Sequence, residues 1–301
     1  MNPLSIALAL LLWPIPVAVQ GIGAVTLMEG SLRVVRGTAV MQGAEGMRLR
    51  QGDILESSDK GFVQLEFTSG GVVALGPASR LYVFRQSANR SGGKAGSEVT
   101  TELILLSGWL KGESSANAGA YRYESPMLAA TSGNGTVVVH AYDSGSDIFV
   151  ESGSAAIGEV SPDGSSRQSS PAKAGQFFSR RSGRLTSASR PDATFLDAMP
   201  RPFRDTLPAR LAQFASKSVE PKIDHPVTYA ELQPWLKMPP AWRRGFVDRF
   251  EPRLKDPEFR KQLEAHVAEY PEWDAVLHPE KHRTETPPAP ATSSESPLPK
   301  V

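Results

Sequence analysis

The feature that most constrains the fold is an alternation of apolar and polar residues with a period of two, interrupted by glycine-containing turns. In the run FVQLEFTSGGVVAL, the apolar Val63, Leu65 and Phe67 are separated by Gln64 and Glu66, a glycine turn follows, and the alternation then resumes. A side-chain period of two is that of a β-strand, and short strands joined by tight turns form antiparallel hairpins. The same pattern fills residues 25 to about 178, so most of the chain is predicted to be β-structure.

The spacing of apolar residues changes after residue 184. From residue 206 onward the period is helical, and Leu207, Leu211 and Phe214 would share one face of a helix. The segment between the two patterns has neither period and is interpreted as a linker.

Two helix-start signals follow in this second part. Thr228 and Glu231 form a capping-box pattern, with a hydroxyl at the N-cap and a carboxylate three residues later. Asp256 followed by Pro257 predicts the start of another helix, because proline fits the first helical turn. Between them an aromatic-rich stripe recurs every four residues: Trp242, Phe246, Phe250 and Leu254.

Composition bounds the class of protein. The 301 residues include 33 Lys and Arg and 32 Asp and Glu, which gives a net charge of +1. The protein therefore has no overall positive charge that would attract nucleic acid. Cysteine is absent, which excludes disulfides, thiolate catalysis and thiolate metal sites. No nucleic-acid partner is therefore expected.

The N-terminal residues have the pattern of an export signal. Leu4 to Val19 is an almost unbroken apolar run, and small residues follow it where a signal peptidase could cut. An uncleaved anchor is the alternative, but Pro14 and Pro16 and the short length of the run disfavour it. No later segment could cross a bilayer. The chain is expected to be periplasmic or otherwise extracytoplasmic, with no stable membrane span once the leader is removed.

The β part resembles the FecR domain family. The resemblance is carried by an ordered set of motifs: a glycine-rich strand start, an L-x-x-G-D-x-L/I turn at Leu49 to Ile54, a hairpin, and a P-x-S-x-L ending at Pro77 to Leu81. Later stretches, LLSGWLKG, FVESGSAAIGEV and AKAGQFF, follow in the family's order, so the match covers residues 25 to 178. The resemblance implies an extracytoplasmic, partly solenoid-like β domain. The regulators that named the family relay signals to sigma factors, but a cytosolic helical region that holds a sigma factor is not expected from the residues before Leu4.

These inferences together define an expected fold class and organisation. The fold class is mainly β, an antiparallel hairpin, solenoid-like or sandwich domain, followed by a small α-helical segment. The predicted organisation is a signal peptide at 1–24, a FecR-like β domain at 25–184, a linker at 185–205, a small helical domain at 206–283 and a disordered Pro/Ser-rich tail at 284–301.

Motifs with catalytic or metal-binding residue types do not form a coherent set. Ser57 to Lys60 and Ser91 to Lys94 match S-x-x-K, but both are predicted in turns or loops rather than at a helix start. His278 and His282 have the spacing of a shared metal site, but Pro279 interrupts it. The chain is therefore predicted to have no catalytic residues, no metal site and no cofactor.

Two arginine-rich runs remain as candidate contacts for anions. Arg180, Arg181, Arg184 and Arg190 form the first, near the end of the β part. Arg180, Arg181 and Arg184 are the weak candidates for ligand binding, because guanidinium groups pair with carboxylates and phosphates. The second run, from Arg243 to Arg253, has the pattern of a solvated helix face.

The sequence thus predicts a non-catalytic periplasmic or cell-envelope binding or scaffolding protein. Its expected partner is an envelope protein or polysaccharide. The alternative is a component of a cell-surface signalling system that regulates a sigma factor through a separate membrane partner. The identity of the partner and the oligomeric state are not predicted.

Overall fold

The structure is a computed structural model, and it describes residues 21–89, 98–166 and 169–282. It is mainly β, with short helices in the C-terminal part, which confirms the predicted fold class. The chain divides into two compact units, with the division between Pro226 and Val227. Most of the predicted leader and all of the predicted tail lie outside the described residues.

The first unit contains the strands. In chain order they are β1 (Gly23–Glu29), β2 (Leu32–Arg36), β3 (Ala39–Gln42), β4 (Arg48–Leu49), β5 (Ile54–Ser57), β6 (Phe62–Phe67), β7 (Gly71–Leu75), β8 (Arg80–Asn89), β9 (Glu98–Ser114), β10 (Ala120–Glu124), β11 (Leu128–Tyr142), β12 (Gly145–Glu159), β13 (Ser170–Lys173), β14 (Phe177–Arg181), β15 (Arg184–Ala188) and β16 (Lys222–Pro226).

All of these strands belong to one mixed sheet. Its main path runs β15-β14-β12-β11-β10-β9-β8-β5-β2-β3-β16, and the branch β4-β1-β6-β7 joins it at β9. β13 pairs with β12 at one side. Neighbouring strands are antiparallel except β9 and β10, which are parallel. The prediction of antiparallel hairpins is therefore confirmed for pairs such as β2–β3, β6–β7, β11–β12 and β14–β15, whereas other strands pair with partners that are distant in the chain.

The long strand β9 changes partners along its length, so the sheet has two arms, one that continues through β8 and one that continues through β7 and β6 to β1. The first part of β9, Glu98–Ser107, pairs with β8. The second part, Gly108–Ser114, pairs with β11 on one side and with β7 on the other. Gly108 sits at the change with a φ of 90°, and a Cβ there would lie 2.5 Å from Ser79. Only glycine accepts both the positive φ and the close backbone approach.

The two arms enclose one hydrophobic core. Val25 and Leu65 from one arm and Leu103 from the other belong to the same buried cluster. Phe67 and Tyr121, on strands that do not pair, meet edge to face with ring centroids 5.9 Å apart. Because the alternate residues of each strand point to this core, the period of two in the sequence has a direct structural cause.

A segment without strands then crosses the outer surface of the sheet. We call residues 190–221 the strap; it contains helix α1 (Ala193–Ala198) and 3-10 turns at Arg201–Arg204 and Leu211–Phe214. Phe195 of the strap packs against Trp109 and Phe177, at ring-centroid distances of 5.2 and 5.0 Å. Phe203 is fully buried and meets Phe62 edge to face at 6.3 Å.

Polar side chains of the sheet hold the strap by its backbone. The bonds are Lys111 Nζ to the carbonyls of Phe203 (2.8 Å) and Asp205 (2.9 Å), Gln64 Nε2 to the carbonyl of Pro208 (2.7 Å), the amides of Arg210 (2.7 Å) and Leu211 (2.8 Å) to Glu66, and Arg48 Nη2 to the carbonyl of Lys217 (2.9 Å). Beyond the strap, β16 pairs antiparallel with β3 and completes one end of the sheet.

The predicted helix through Leu207, Leu211 and Phe214 is wrong. Leu207 lies in a non-helical part of the strap and is buried with Phe203, and the two later residues bound a single 3-10 turn. Their spacing reflects successive contacts of the strap with the sheet rather than one helix face.

The second unit contains the remaining helices. They are α2 (Tyr229–Leu236), α3 (Phe246–Phe250), α4 (Pro257–Ala265), α5 (Asp274–Leu277) and α6 (Pro279–His282), with 3-10 turns at Glu251–Lys255, Val267–Glu269 and Pro271–Trp273. The capping box of Thr228 and Glu231 is present, and Asp256 caps α4, as the sequence predicts. The aromatic residues of the stripe, such as Phe246 and Phe250, are buried inside this unit. Within the described residues no helix is long and apolar enough to cross a membrane.

Candidate binding cleft

A row of aromatic and polar side chains crosses one face of the sheet. Strand register joins Trp109 to His140, His140 to Asp147, Asp147 to Ser179 and Ser179 to Thr186. Residues directly opposite each other on paired strands point to the same face, so these five side chains lie side by side. The Trp109 and His140 rings stack with centroids 3.9 Å apart and an angle of 10° between their planes.

Asp147 is the ionised centre of this row. Its side chain is 2% exposed, its Oδ1 accepts a hydrogen bond from the Tyr142 hydroxyl at 3.3 Å, and its Oδ2 lies 3.3 Å from Arg181 Nη2. Burial opposes ionisation, but the interactions with His140, Ser179 and Arg181 outweigh burial and lower the pKa of Asp147. Asp147 is therefore a carboxylate at neutral pH, and it neutralises Arg181.

The β14–β15 hairpin places two arginines together beyond this row. Its two-residue loop, Ser182 and Gly183, has φ values of 48° and 77°, the pattern of a type I′ turn. This turn sets Arg181 opposite Arg184. The two side chains therefore project from the same face of the hairpin.

A cleft of about 550 Å³ opens between this hairpin and the chain that leads into α1. Its basic residues are Arg181, Arg184 and Arg190, and hydroxyl groups of Ser179, Thr186 and Ser189 also line it. Phe177 lines it as well and is buried against Phe195 of the strap. The cleft thus combines a packed apolar residue with hydrogen-bond donors.

The charges in the cleft are not balanced. Arg181 is neutralised by Asp147, whereas Arg184 and Arg190 are exposed and form no ion pair within the described part of the chain. The one carboxylate in the lining, Asp192, caps α1 by accepting a hydrogen bond from the Phe195 amide at 2.7 Å. The two guanidinium groups of Arg184 and Arg190 are therefore available to an anion, and guanidinium binds carboxylate or phosphate with paired hydrogen bonds.

The structure separates the three arginines that the sequence suggested. Arg181 and Arg184 line the cleft, but Arg180 does not. Because successive residues of a strand point to opposite faces, Arg180 turns away from its neighbours and donates to the carbonyls of Met127 (3.1 Å) and Val160 (2.8 Å). Arg180 is a structural residue, and Arg190 takes its place in the cleft.

The other motifs lie apart from the cleft. The Ser57 hydroxyl donates to the carbonyl of Gly76 at 2.6 Å, and Ser91 to Lys94 lie outside the described residues. His282 lies 2.8 Å from Asp274. In the second arginine run, Arg243 is buried and paired with Glu272 at 2.8 Å rather than solvated. No cluster with the composition of a metal site occurs within the described ranges.

Sequence reasoning missed Asp147, Ser179 and Thr186. Asp147 lies near the start of β12 in the run DSGSDIFV, and the sequence does not show which residue pairs with it across the sheet. The basic run near the end of the β part was the available signal, and its residues Arg181 and Arg184 lie on the β14–β15 hairpin that lines the cleft.

Comparison with known proteins gives only distant similarity. No family model matches the chain, and no curated protein matches it. Two crystal structures of a candidate anti-sigma factor from Parabacteroides distasonis, at 1.65 and 2.50 Å, align with TM-scores of 0.36 and 11% sequence identity. The alignments cover 48% of this chain and 63% and 62% of the other chain. The FecR-like resemblance therefore stays a prediction.

Proposed function

We propose that the protein is a non-catalytic binding module of the cell envelope, and that its cleft holds an anionic group of an envelope partner. The observation that carries the proposal is the pair Arg184 and Arg190, which line the cleft without an acidic partner in the described chain. An exported location, in which the leader at residues 1–24 is removed, is part of the proposal. No cofactor is required for such binding.

The arrangement of the cleft favours binding over chemistry. Arg181, which lines the cleft, is held on a face of regular sheet by Asp147 at 3.3 Å and by the Tyr142 hydroxyl at 2.7 Å. Side chains held by neighbours present donors in a fixed geometry, which reduces the entropy lost when a ligand binds. The partner can therefore be recognised by carboxylate, phosphate or sulfate groups.

A second candidate function is that of a signalling component, which regulates a sigma factor through a separate membrane partner. The ordered FecR-like motifs between residues 25 and 178 favour it. This function uses the same kind of binding surface but predicts a defined protein partner. Deletion of the gene should then change transcription from sigma-factor-dependent promoters, whereas a purely structural binding module leaves that transcription unchanged.

The proposal is tested by co-sedimentation with washed envelope fragments that contain both peptidoglycan and membrane proteins. The bound fraction of the double variant Arg184→Gln/Arg190→Gln should be at least about fivefold smaller than that of the wild type, because charge-assisted hydrogen bonds to the anion are removed. Arg244→Gln, an exposed arginine of the second unit, is the matched control and should sediment like the wild type. Digesting the fragments with muramidase or protease beforehand identifies the partner class. Equal sedimentation of the double variant and the wild type would contradict the proposal.

A further inference from the structure

The hairpin beside the cleft ends in an open strand. Among the described strands β15 pairs with β14 only, and every residue from Arg184 to Ala188 is exposed. The two-residue turn makes Arg181 and Arg184 a hydrogen-bonded pair, so Thr186 also bonds to β14. Leu185 and Ser187, at the alternate positions, therefore direct their backbone N–H and C=O groups to the open side.

An open edge of this kind binds further strands unless the sequence prevents it. Proteins block edges with proline, bulges or covering segments, and also with short strands and charged side chains, which deter a strand of like charge. β15 contains no proline, its register with β14 is continuous, and the next strand along the chain, β16, lies at the far end of the sheet. That opposite end shows strand addition within this molecule, since β16 pairs antiparallel with β3 over Lys222 to Pro226.

The positive charge at the edge of β15 determines which kind of strand can bind there. Arg184 begins the strand and Arg190 follows it, and both are exposed. A second copy of β15 would bring the same positive charges together, whereas a strand with carboxylates would pair with them. Charge complementarity therefore favours an acidic partner over self-association.

We infer that β15 binds an extended acidic segment of a partner protein as an added strand. The partner's backbone bonds to Leu185 and Ser187, and its carboxylates pair with Arg184 and Arg190. The inference rests on the proposed function, because it uses the same two arginines, and it names the partner as a protein segment rather than a polysaccharide.

The geometry specifies the pattern of that segment. β15 spans five residues, about 17 Å at ~3.3 Å per residue, so about seven partner residues cover it. Residues opposite Arg184 and Thr186 face the cleft and carry the carboxylates. Residues opposite Leu185, which is 40% exposed, lie on the other face and are apolar. The segment therefore alternates acidic and apolar residues.

The test measures binding of an acetylated, fluorescently labelled peptide, about seven residues of alternating glutamate and valine, by anisotropy. The added strand is antiparallel, like β16 on β3, so N-methylation of the valines removes the amides that face β15, and N-methylation of the glutamates removes amides that face away. We expect the valine-methylated peptide to bind at least about tenfold more weakly than the unmodified peptide. The glutamate-methylated peptide should bind like the unmodified one, and this makes it a matched control.

The outcomes separate the two proposals. Equal affinity of the two methylated peptides would overturn strand addition. So would absence of peptide binding while envelope fragments still sediment in an arginine-dependent way, and the cleft would then bind a polysaccharide or another anion. If Arg184→Gln/Arg190→Gln changes neither peptide binding nor sedimentation, and its circular dichroism spectrum matches the wild type, the proposed function itself is wrong.

Discussion

At the scale of single residues, the side chains of the polar row differ in burial, from the buried Asp147 to the exposed Thr186 at the hairpin. Asp147 is buried and satisfied by Tyr142 and Arg181, whereas Thr186 is exposed at the hairpin. A buried carboxylate is stable only when its partners replace water. Asp147 therefore fixes the position of Arg181, whereas the outer residue Arg184 is exposed and has no ion-pair partner among the described residues.

The first prediction concerns the ionisation of Asp147. Its pKa is lowered in the folded protein from an unfolded value of about 3.9, so its stabilisation is present above about pH 4 and is lost as pH falls through the folded pKa. Asp147→Asn should reduce the free energy of unfolding by about 1–3 kcal/mol at pH 7, and the difference should shrink toward pH 3. Urea titrations at both pH values measure it. Asp143→Asn, an exposed residue in the same hairpin turn, is the control, and a difference that does not depend on pH would count against the ionic role.

The sequence predicted the basic run but assigned one of its members wrongly. Alternation along β14 places Phe177, Ser179 and Arg181 on one face and Arg180 on the other. That signal was present in the sequence, since the period of two was already recognised elsewhere. The pairing of Asp147 with Ser179 was not available, because strand register across separate hairpins is set by tertiary packing.

At the scale of elements, local and distant interactions differ in how well the sequence predicts them. Hairpins such as β6–β7 form between neighbours, and their alternation and glycine turns identify them directly. The caps at Thr228 and Asp256 are equally local. The strap is different, because its anchors Lys111 and Gln64 lie 92 and 144 residues before the groups they bind. The local spacing of apolar residues does not indicate contacts between residues so far apart in the chain. The sequence therefore predicts a linker and the start of a helix where the strap lies.

The second prediction tests the anchor of the strap. Lys111 is 1% exposed, donates to the carbonyls of Phe203 and Asp205, and lies 3.3 Å from Glu113 and 3.1 Å from Glu151. Lys111→Met should destabilise the first unit by roughly 3–5 kcal/mol, because it leaves buried acceptors without their cation.

Urea unfolding followed by far-UV circular dichroism measures this change. Lys173→Met is the matched control, since Lys173 is exposed on β13 and its replacement should alter stability by no more than about 0.5 kcal/mol. If Lys111→Met lowers the free energy of unfolding by no more than the control does, the apolar contacts alone hold the strap.

At the scale of the whole molecule, the boundary between compact units lies later than the change in sequence pattern. The period-two pattern in the sequence ends near Arg184, but β15 begins at that residue and the first compact unit continues to Pro226. The reason is physical: the strap buries Phe195 and Phe203 against the sheet, and β16 then completes one end of it. A domain boundary placed where the local periodicity changes would therefore exclude the strap, which covers part of the core.

The last prediction compares two truncated chains, residues 21–189, which end after β15, and residues 21–226, which add the strap and β16. The strap contributes three buried apolar side chains, Phe195, Phe203 and Leu207. At about 1.5–3 kcal/mol for each, their burial is worth about 5–9 kcal/mol, which is comparable to the whole stability of a typical domain. The longer chain should therefore give a β-type circular dichroism spectrum and melt cooperatively, whereas the shorter chain should expose Trp109 and fail to melt cooperatively. Adding the strap as a separate peptide should restore part of the transition. If the shorter chain melts within a few degrees of the longer one, the strap is a dispensable cover, and the sheet would form an independent unit without it.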